Sequence, residues 1–299
     1  MKQLAIIGPT ASGKSDLAIK IAQKIDAYIL SIDSLSIYKE IDIVSAKPSK
    51  EELSEVKHFG INVLNPDEYF SVDIFIQLYK ELLEKCKQES KNLLIVGGTS
   101  FYLKSLLEGL STLPSIDDNV KRRVEKRLQN LEDSYAFLSS LDAEYMQKIS
   151  PNDSYRIEKA FLIYEASGLT PSEWFKQNPP EPIIKELSVF NIDVARDVLR
   201  KRIALRTAKM LDMGLIDEVA MLEQKYTRAA HSMKSIGIVE VLDYLDAKSS
   251  KEEMLELISI HTAQLAKRQQ TFNRTQFKNI TSAPLDQLEE IILKSVLND

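Results

Sequence analysis

The segment Gly8-Pro9-Thr10-Ala11-Ser12-Gly13-Lys14-Ser15 fits the pattern G-x-x-x-x-G-K-[ST]. It constrains the fold more than any other feature of the chain, because it works only where a strand hands over to a helix. Its glycines let successive backbone N–H groups point at phosphate oxygens. The lysine adds a point charge, and the hydroxyl after it offers a ligand to Mg²⁺. The helix that begins there directs its positive end at the same anion. The flanking residues meet the requirement. Gln3 to Ile7 reads as a buried strand, and Lys14 to Lys24 as an amphipathic helix with Leu17, Ala18, Ile21 and Ile25 on one face. Such a P-loop predicts a bound di- or triphosphate. It leaves open whether that group is hydrolysed, transferred or released.

Strand-like and helical runs go on alternating through the first hundred residues. Ala27 to Ile32 and Asn92 to Val96 read as buried strands and Gly60 to Leu64 as a weaker one. Ser71 to Glu89 reads as a helix carrying the single cysteine, Cys86, half-buried. The alternation predicts an α/β chain with a P-loop NTPase-like core, a parallel sheet flanked by helices. Ligands of such sheets bind beyond the carboxyl ends of the strands, so the P-loop, Asp33-Ser34 and Gly97-Gly98-Thr99 are expected around one crevice. After Leu113-Pro114 only helical periodicity remains, from Asp117 to about Phe175, with Ser150-Pro151-Asn152-Asp153 as a turn and helix start. Asn178-Pro179-Pro180-Glu181-Pro182 then breaks the chain. Leu187 to Ile192 reads as a strand returning to the sheet. From Arg196 onward the chain reads as helical, with Gly214 ending the first helix. The expected organisation is a core of residues 1–114 and 187–299 and an all-helical insertion domain of residues 115–186.

A net charge of −5 argues at first against a nucleic-acid partner, but the charge is unevenly distributed. Lys121-Arg122-Arg123 with Lys126 and Arg127, Arg200-Lys201-Arg202 with Arg206 and Lys209, and Lys267-Arg268 with Arg274 and Lys278 form three basic clusters. Each alone reads as a solvated helix face; three on a P-loop scaffold favour an anionic partner. No apolar run approaches the ~20 residues of a membrane span, and no secretory signal pattern opens the chain. These features lead to the expectation of a cytoplasmic protein that does not engage a membrane. Nothing suggests an obligate partner subunit, so a monomer is expected.

Two positions carry the chemistry beside the P-loop. Asp33 directly follows a strand, where a carboxylate acts as a general base, holds Mg²⁺ through water, or caps the next helix. The strand Leu93 to Val96 ends in Gly97-Gly98-Thr99, where hydrolytic P-loop enzymes carry an aspartate for Mg²⁺. Glycines there allow close approach of a ligand, and Thr99 offers a hydrogen bond to a phosphate oxygen. That ending suits departure of a diphosphate better than activation of water. His58, His231 and His261 lack metal-ligand spacing, and Trp174 reads as a packing residue. The stretch from Ala266 to Arg274 mixes cations, amides and Phe272, and places Lys267, Thr271 and Arg274 near one helix face, a pattern suited to RNA contacts.

Taken together, these residues resemble the tRNA dimethylallyltransferases (tRNA isopentenyltransferases) of bacterial type over nearly the whole chain. Gly8 to Ser15 is similar to that family's GPTASGK[TS] loop. Asp33-Ser34-Leu35-Ser36-Ile37-Tyr38 with Asp42-Ile43 and Ala46-Lys47-Pro48 is similar to its DSxxxY…DIGTAKP segment. Gly97-Gly98-Thr99, Tyr102 and Leu106 to Leu110 follow its GGTxxY…LLEGL segment. Pro151-Asn152-Asp153 with Arg156, Ile236-Gly237 with Glu240, and Ala266 to Gln269 with Thr271 and Arg274 complete the order. The departures are Val44-Ser45 for Gly-Thr, Ile238-Val239 for Tyr-Lys, Phe272 for tryptophan and Lys159 for arginine. The resemblance implies transfer of a dimethylallyl group from dimethylallyl diphosphate to N6 of adenosine 37 in tRNA, with release of diphosphate. It implies that Asp33 and Thr99 are catalytic. Gly8, Thr10, Ala11, Ser12, Gly13, Lys14 and Ser15 would bind the diphosphate with Arg202 and Arg206, and Ser15 would ligate Mg²⁺. The tRNA anticodon stem-loop would be contacted by Asp33, Ser34, Leu35, Ser36, Thr99, Lys121, Tyr155, Arg156, Lys159, Lys234 and Gly237, and by Lys267, Arg268, Gln269, Thr271, Phe272 and Arg274. The insertion would clamp the stem. The residues themselves leave three alternatives: a prenyltransferase acting on free adenine nucleotides, a small-molecule kinase, and a non-catalytic RNA-binding module with a relic P-loop.

Overall fold

The computed structural model describes residues 1–298. In chain order the elements are β1 (Gln3–Ile7), α1 (Lys14–Lys24), β2 (Ala27–Ser31), α2 (Lys50–Glu55), β3 (His58–Phe59), α3 (Val72–Gln88), β4 (Asn92–Gly97) and α4 (Ser100–Glu108). Five helices follow: α5 (Asp118–Arg127), α6 (Leu131–Leu141), α7 (Ala143–Met146), α8 (Ser154–Ser167) and α9 (Pro171–Gln177). The chain then continues through β5 (Ser188–Asp193), α10 (Arg196–Asp212), α11 (Leu215–Lys225), α12 (Ile238–Leu245), α13 (Lys251–Gln276), β6 (Ile280–Pro284) and α14 (Leu285–Asn298). The described residues divide into two compact units, Met1–Leu107 with the chain from Lys185 onward, and Glu108–Ile184.

The first unit is built on one parallel sheet of order β3-β2-β4-β1-β5-β6. Its central strands are apolar throughout because both faces are covered: Leu4, Ala5, Ile6 and Ile7 of β1 are buried, as are Leu93 to Val96 of β4. Leu17 and Ile21 of α1 and Leu288 and Ile292 of α14 share a core with Leu4, Ile6, Leu94, Val96, Phe190 and Ile192. Elsewhere on the sheet, α3 buries Phe75, Tyr79, Leu82 and Cys86 at helical spacing. The Tyr79 hydroxyl donates to Gln3 Oε1 at 2.8 Å. Cys86 is fully buried rather than half-buried.

Two expectations are corrected. Residues 60–64 form no strand: Gly60 (φ 74°) and Asn62 (φ 56°) take left-handed backbone, and only Leu64 makes an isolated bridge, to Tyr38. The strand lies just before them, at His58–Phe59. The chain after Arg196 is not wholly helical, because Ile280–Pro284 adds the edge strand β6 beside β5. Its small and polar residues give no apolar signal, and its terminal proline is tolerated at an edge. Gly214 stands in left-handed conformation (φ 98°) between α10 and α11, as a chain-reversing cap requires.

The second unit is helical. Ile157, Ala160 and Phe161 of α8 pack with Val120 and Val124 of α5, Leu138 of α6 and Met146 of α7. Asp153 starts α8 by accepting the Arg156 N–H at 3.1 Å. The Trp174 indole donates to Thr112 O at 2.8 Å. Two of the five cations of the first basic cluster are internal glue: Arg123 and Arg127 both pair with Glu165, at 2.9 and 3.1 Å, and Arg127 lies over the Phe137 ring.

Candidate functional site

The P-loop leaves β1 and reverses through Ala11 (φ 60°) and Gly13 (φ 90°). A Cβ at Gly13 would also lie 2.7 Å from Leu285 of α14, so only glycine fits. No side chain caps α1, which leaves the first helical N–H groups for an anion. Ser12 is fully buried beneath the loop; its N–H donates to Pro9 O at 3.3 Å, so it contributes loop shape rather than a hydroxyl to the cleft.

Helices α10 and α13 hold the loop in place. Arg202 Nη1 donates to Ser12 O at 3.1 Å and Arg206 Nη1 to Thr10 Oγ1 at 3.2 Å. Gln269 Oε1 accepts the Thr10 N–H at 2.8 Å. A Cβ at Gly98 would collide with Gln269 Nε2, so the second glycine of Gly97-Gly98-Thr99 is what lets this amide reach the loop. Lys14 Nζ donates to Pro9 O at 3.2 Å. Burial lowers the Lys14 pKa to about 8; Asp33 opposes that shift and Arg206 adds to it. Burial lowers the Arg206 pKa as well, again against Asp33. Two poorly solvated cations beside one carboxylate make a site short of negative charge, which a diphosphate would supply.

Asp33 follows β2 after one residue. Its Oδ1 accepts the N–H groups of Leu35 (2.9 Å) and Ser36 (3.1 Å), so it caps a turn rather than a helix. One carboxylate oxygen is thereby fixed, and among the described residues the other accepts no hydrogen bond. Thr99 Oγ1 accepts the Ser34 N–H at 3.3 Å and lies 3.4 Å from Ser34 Oγ, tying the ends of β2 and β4 together.

These groups border a cleft of about 310 Å³ whose lining includes Thr10, Lys14, Asp33, Ser34, Thr99, Arg206 and Gln269. Apolar side chains, Leu35, Val44, Ile203, Met210, Leu215, Ile258 and Leu265 among them, make up much of the rest, interspersed with Ser45, Thr207, Lys234, Ser235 and Thr262. A smaller adjoining cavity of about 80 Å³ is bordered by Lys14, Ser15, Asp33 and Arg206. Ser15 and Asp33 there offer only hard oxygen donors. No group of three or more acidic, histidine or cysteine side chains suited to a metal occurs among the described residues. This donor set fits Mg²⁺, which is commonly held by few protein oxygens together with substrate phosphates and water.

Sequence reasoning missed Glu218. Its carboxylate accepts the N–H groups of Asp42, Ile43 and Val44 at 2.9, 2.7 and 2.9 Å and so shapes the loop that carries Val44 into the cleft. No local signal marks it, because its partners lie some 175 residues away. Val44 packs against Gly237, where a Cβ would lie 3.1 Å from Val44 Cγ1. Gly237 is buried, and its N–H is taken by Glu240 Oε2 at 2.6 Å. Glu218→Ala is expected to cost about 1.5–3 kcal/mol, the range for hydrogen bonds to a charged group, and to raise KM for substrate. Urea denaturation and kinetics check this; an unchanged midpoint and KM would refute it.

The remaining candidate residues fall in two places. Lys234, Lys267, Arg268, Thr271 and Arg274 are exposed on the sheet-containing unit, and Phe272 is half-buried against Phe277. Among the described residues none of those four cations makes an ion pair. Lys121, Tyr155, Arg156 and Lys159 lie on the helical unit. Lys121 pairs with Asp118 and Arg156 with Asp153, and Lys159 stands over the Tyr155 ring.

The IPP transferase family model matches residues 36–276. A tRNA dimethylallyltransferase of Sulfurimonas denitrificans is 70% identical over 296 residues, 99% of this chain and 100% of its own. The solved tRNA isopentenylpyrophosphate transferase of Bacillus halodurans is 28% identical with a TM-score of 0.73, the match covering 99% of this chain and 96% of that one. A eukaryotic dimethylallyltransferase acting on tRNA shares the fold at 24% identity and a TM-score of 0.86, over 100% of this chain and 79% of that one.

Proposed function

Because this chain belongs to the IPP transferase family, we propose that it transfers the dimethylallyl group of dimethylallyl diphosphate to N6 of adenosine 37 in tRNA and releases diphosphate. One observation carries the reading: a single cleft joins the cationic P-loop and a carboxylate to an apolar lining. A five-carbon isoprenoid carried on a diphosphate needs that combination, cations for the leaving group and apolar side chains for the chain it leaves.

Lys14, Arg206 and the open N–H groups of α1 bind the diphosphate and stabilise the charge that grows on it as the allylic C–O bond breaks. The apolar lining excludes water from the developing allyl cation. The N6 amine forms the new N–C bond. Asp33, held by its turn, takes the N6 proton through its free oxygen and passes it to solvent. Thr99 fixes the spacing between Asp33 and the P-loop side through Ser34, with its hydroxyl within reach of a diphosphate oxygen. Ser15 would hold Mg²⁺ beside the diphosphate, where the ion would supply further charge neutralisation. Flipping the adenosine out of the anticodon loop presents its amine to this cleft. The partner segment is the anticodon stem-loop, contacted by the exposed cations of α13 and by the insertion, which clamps the stem. The enzyme works as a cytoplasmic monomer; no helix among the described residues is long and apolar enough to cross a membrane.

Competition between unmodified tRNA and AMP for labelled dimethylallyl diphosphate tests the reading. Label is expected in tRNA; label in AMP alone would overturn it. The lowered Lys14 pKa adds a pH dependence. Below about 8 the free enzyme carries the ammonium; above that, binding diphosphate requires taking up a proton. Affinity for diphosphate is therefore expected to fall as pH rises through 8, approaching tenfold per unit above it. Calorimetric titration between pH 7 and 9.5 checks this, and a flat profile would contradict it.

A further inference from the structure

The second basic cluster is only partly used by the cleft. Arg202 and Arg206 turn toward the P-loop, but Arg200 does not. It borders a separate groove of about 450 Å³ between α10 and α13, together with Arg196 and Lys267. These three cations are exposed, and among the described residues none makes an ion pair. One carboxylate, Glu256, also lines the groove, so the cations outnumber it three to one. The floor is apolar: Ile260 and Ala263 are open to the groove, and Leu199, Ile203 and Ala266, which also border it, are buried. Ile203 is the wall shared with the catalytic cleft.

We propose that this groove holds a second, unpaired nucleotide of the tRNA substrate, its base against Ile260 and Ala263 and its phosphate on Arg196, Arg200 and Lys267. Surplus positive charge on the rim complements a phosphodiester. The apolar floor and the guanidinium planes suit the face of an unstacked base. A base inside a duplex has no free face to bury, which assigns the groove to the single-stranded loop. The groove then works as a register device. With one nucleotide seated there, the strand enters the neighbouring cleft in a fixed phase, and the adenosine presented to Asp33 is chosen by its distance along the strand. The proposal rests on tRNA being the substrate.

The test is the double variant R196A/R200A in the full chain, with binding of unmodified tRNA followed by fluorescence anisotropy over a salt series. Affinity for tRNA is expected to fall on the order of tenfold or more, and the salt slope to drop by about 1–2. Affinity for dimethylallyl diphosphate should stay unchanged. Ala263→Phe, which fills the groove without touching its charge, is expected to weaken tRNA binding while keeping the slope. Unchanged tRNA affinity in R196A/R200A would overturn the groove and leave the proposed function standing. Wild-type protein that neither binds nor modifies tRNA would instead remove the functional reading beneath it.

Discussion

Asp33→Asn is expected to lower turnover by about 10²–10⁴, the range for loss of a positioned general base, while diphosphate binding survives. Asparagine is the informative change because its amide oxygen can still accept the Leu35 and Ser36 N–H groups that hold the turn. The loop keeps its shape and only the proton acceptor is lost. Asp33→Ala removes both, so any further loss from asparagine to alanine measures the turn. The Mg²⁺ requirement separates the two functions a carboxylate has here. If Asp33 is the base, the asparagine variant has a low turnover that extra Mg²⁺ does not restore. Recovery at high Mg²⁺, or near-normal turnover at any concentration, would remove Asp33 from the proton transfer.

Lys14→Met should act in opposite directions on activity and stability. Loss of the ammonium beside the departing diphosphate is expected to cost about 10²–10³ in kcat/KM, comparable to deleting one preorganised donor from a charge-stabilising site. The same change is expected to make the protein more stable by on the order of 1–3 kcal/mol, because burial holds the Lys14 pKa near 8 against an ordinary 10.5 and the charged form is strained in the fold. The sign has its own test. Between about pH 8 and 10.5 the unfolded chain keeps a proton that the folded protein has shed, so wild-type stability from this group rises with pH across that window. Lys14→Met should abolish the rise. Urea denaturation at pH 7 and 9.5 reads both; a variant less stable than wild type would contradict the burial of the charge. Arginine is not expected to rescue activity, since its planar fork cannot replace a compact ammonium bonded to Pro9 O.

Where motif and burial coincide, the sequence is legible. The run Gln3 to Ile7, the P-loop and Lys14 to Lys24 are bounded in the structure as the pattern predicts, because an apolar strand, a glycine turn and an amphipathic helix each carry a local signal. Less legible is what depends on distant contacts. Gln269 sits among cations in the sequence and reads as an RNA contact, yet its amide turns inward to the Thr10 N–H, a partner 259 residues away. Arg123 and Arg127 read as part of a basic patch and prove to be bound to Glu165. The edge strand Ile280–Pro284 has no hydrophobic alternation to betray it. Val44, a departure from glycine in the loop pattern, finds its explanation only in space, against the bare backbone of Gly237. Charge and periodicity are local properties; the partner that decides what a polar side chain does is not.

Whether this P-loop cradles a leaving group is read by digesting tRNA to nucleosides after incubation with the protein, Mg²⁺ and dimethylallyl diphosphate, and weighing the products. The expected result is one added isoprenyl unit on the adenosine beside the anticodon, with equimolar diphosphate released. Unchanged tRNA, or isoprenyl appearing on another nucleoside, would contradict it.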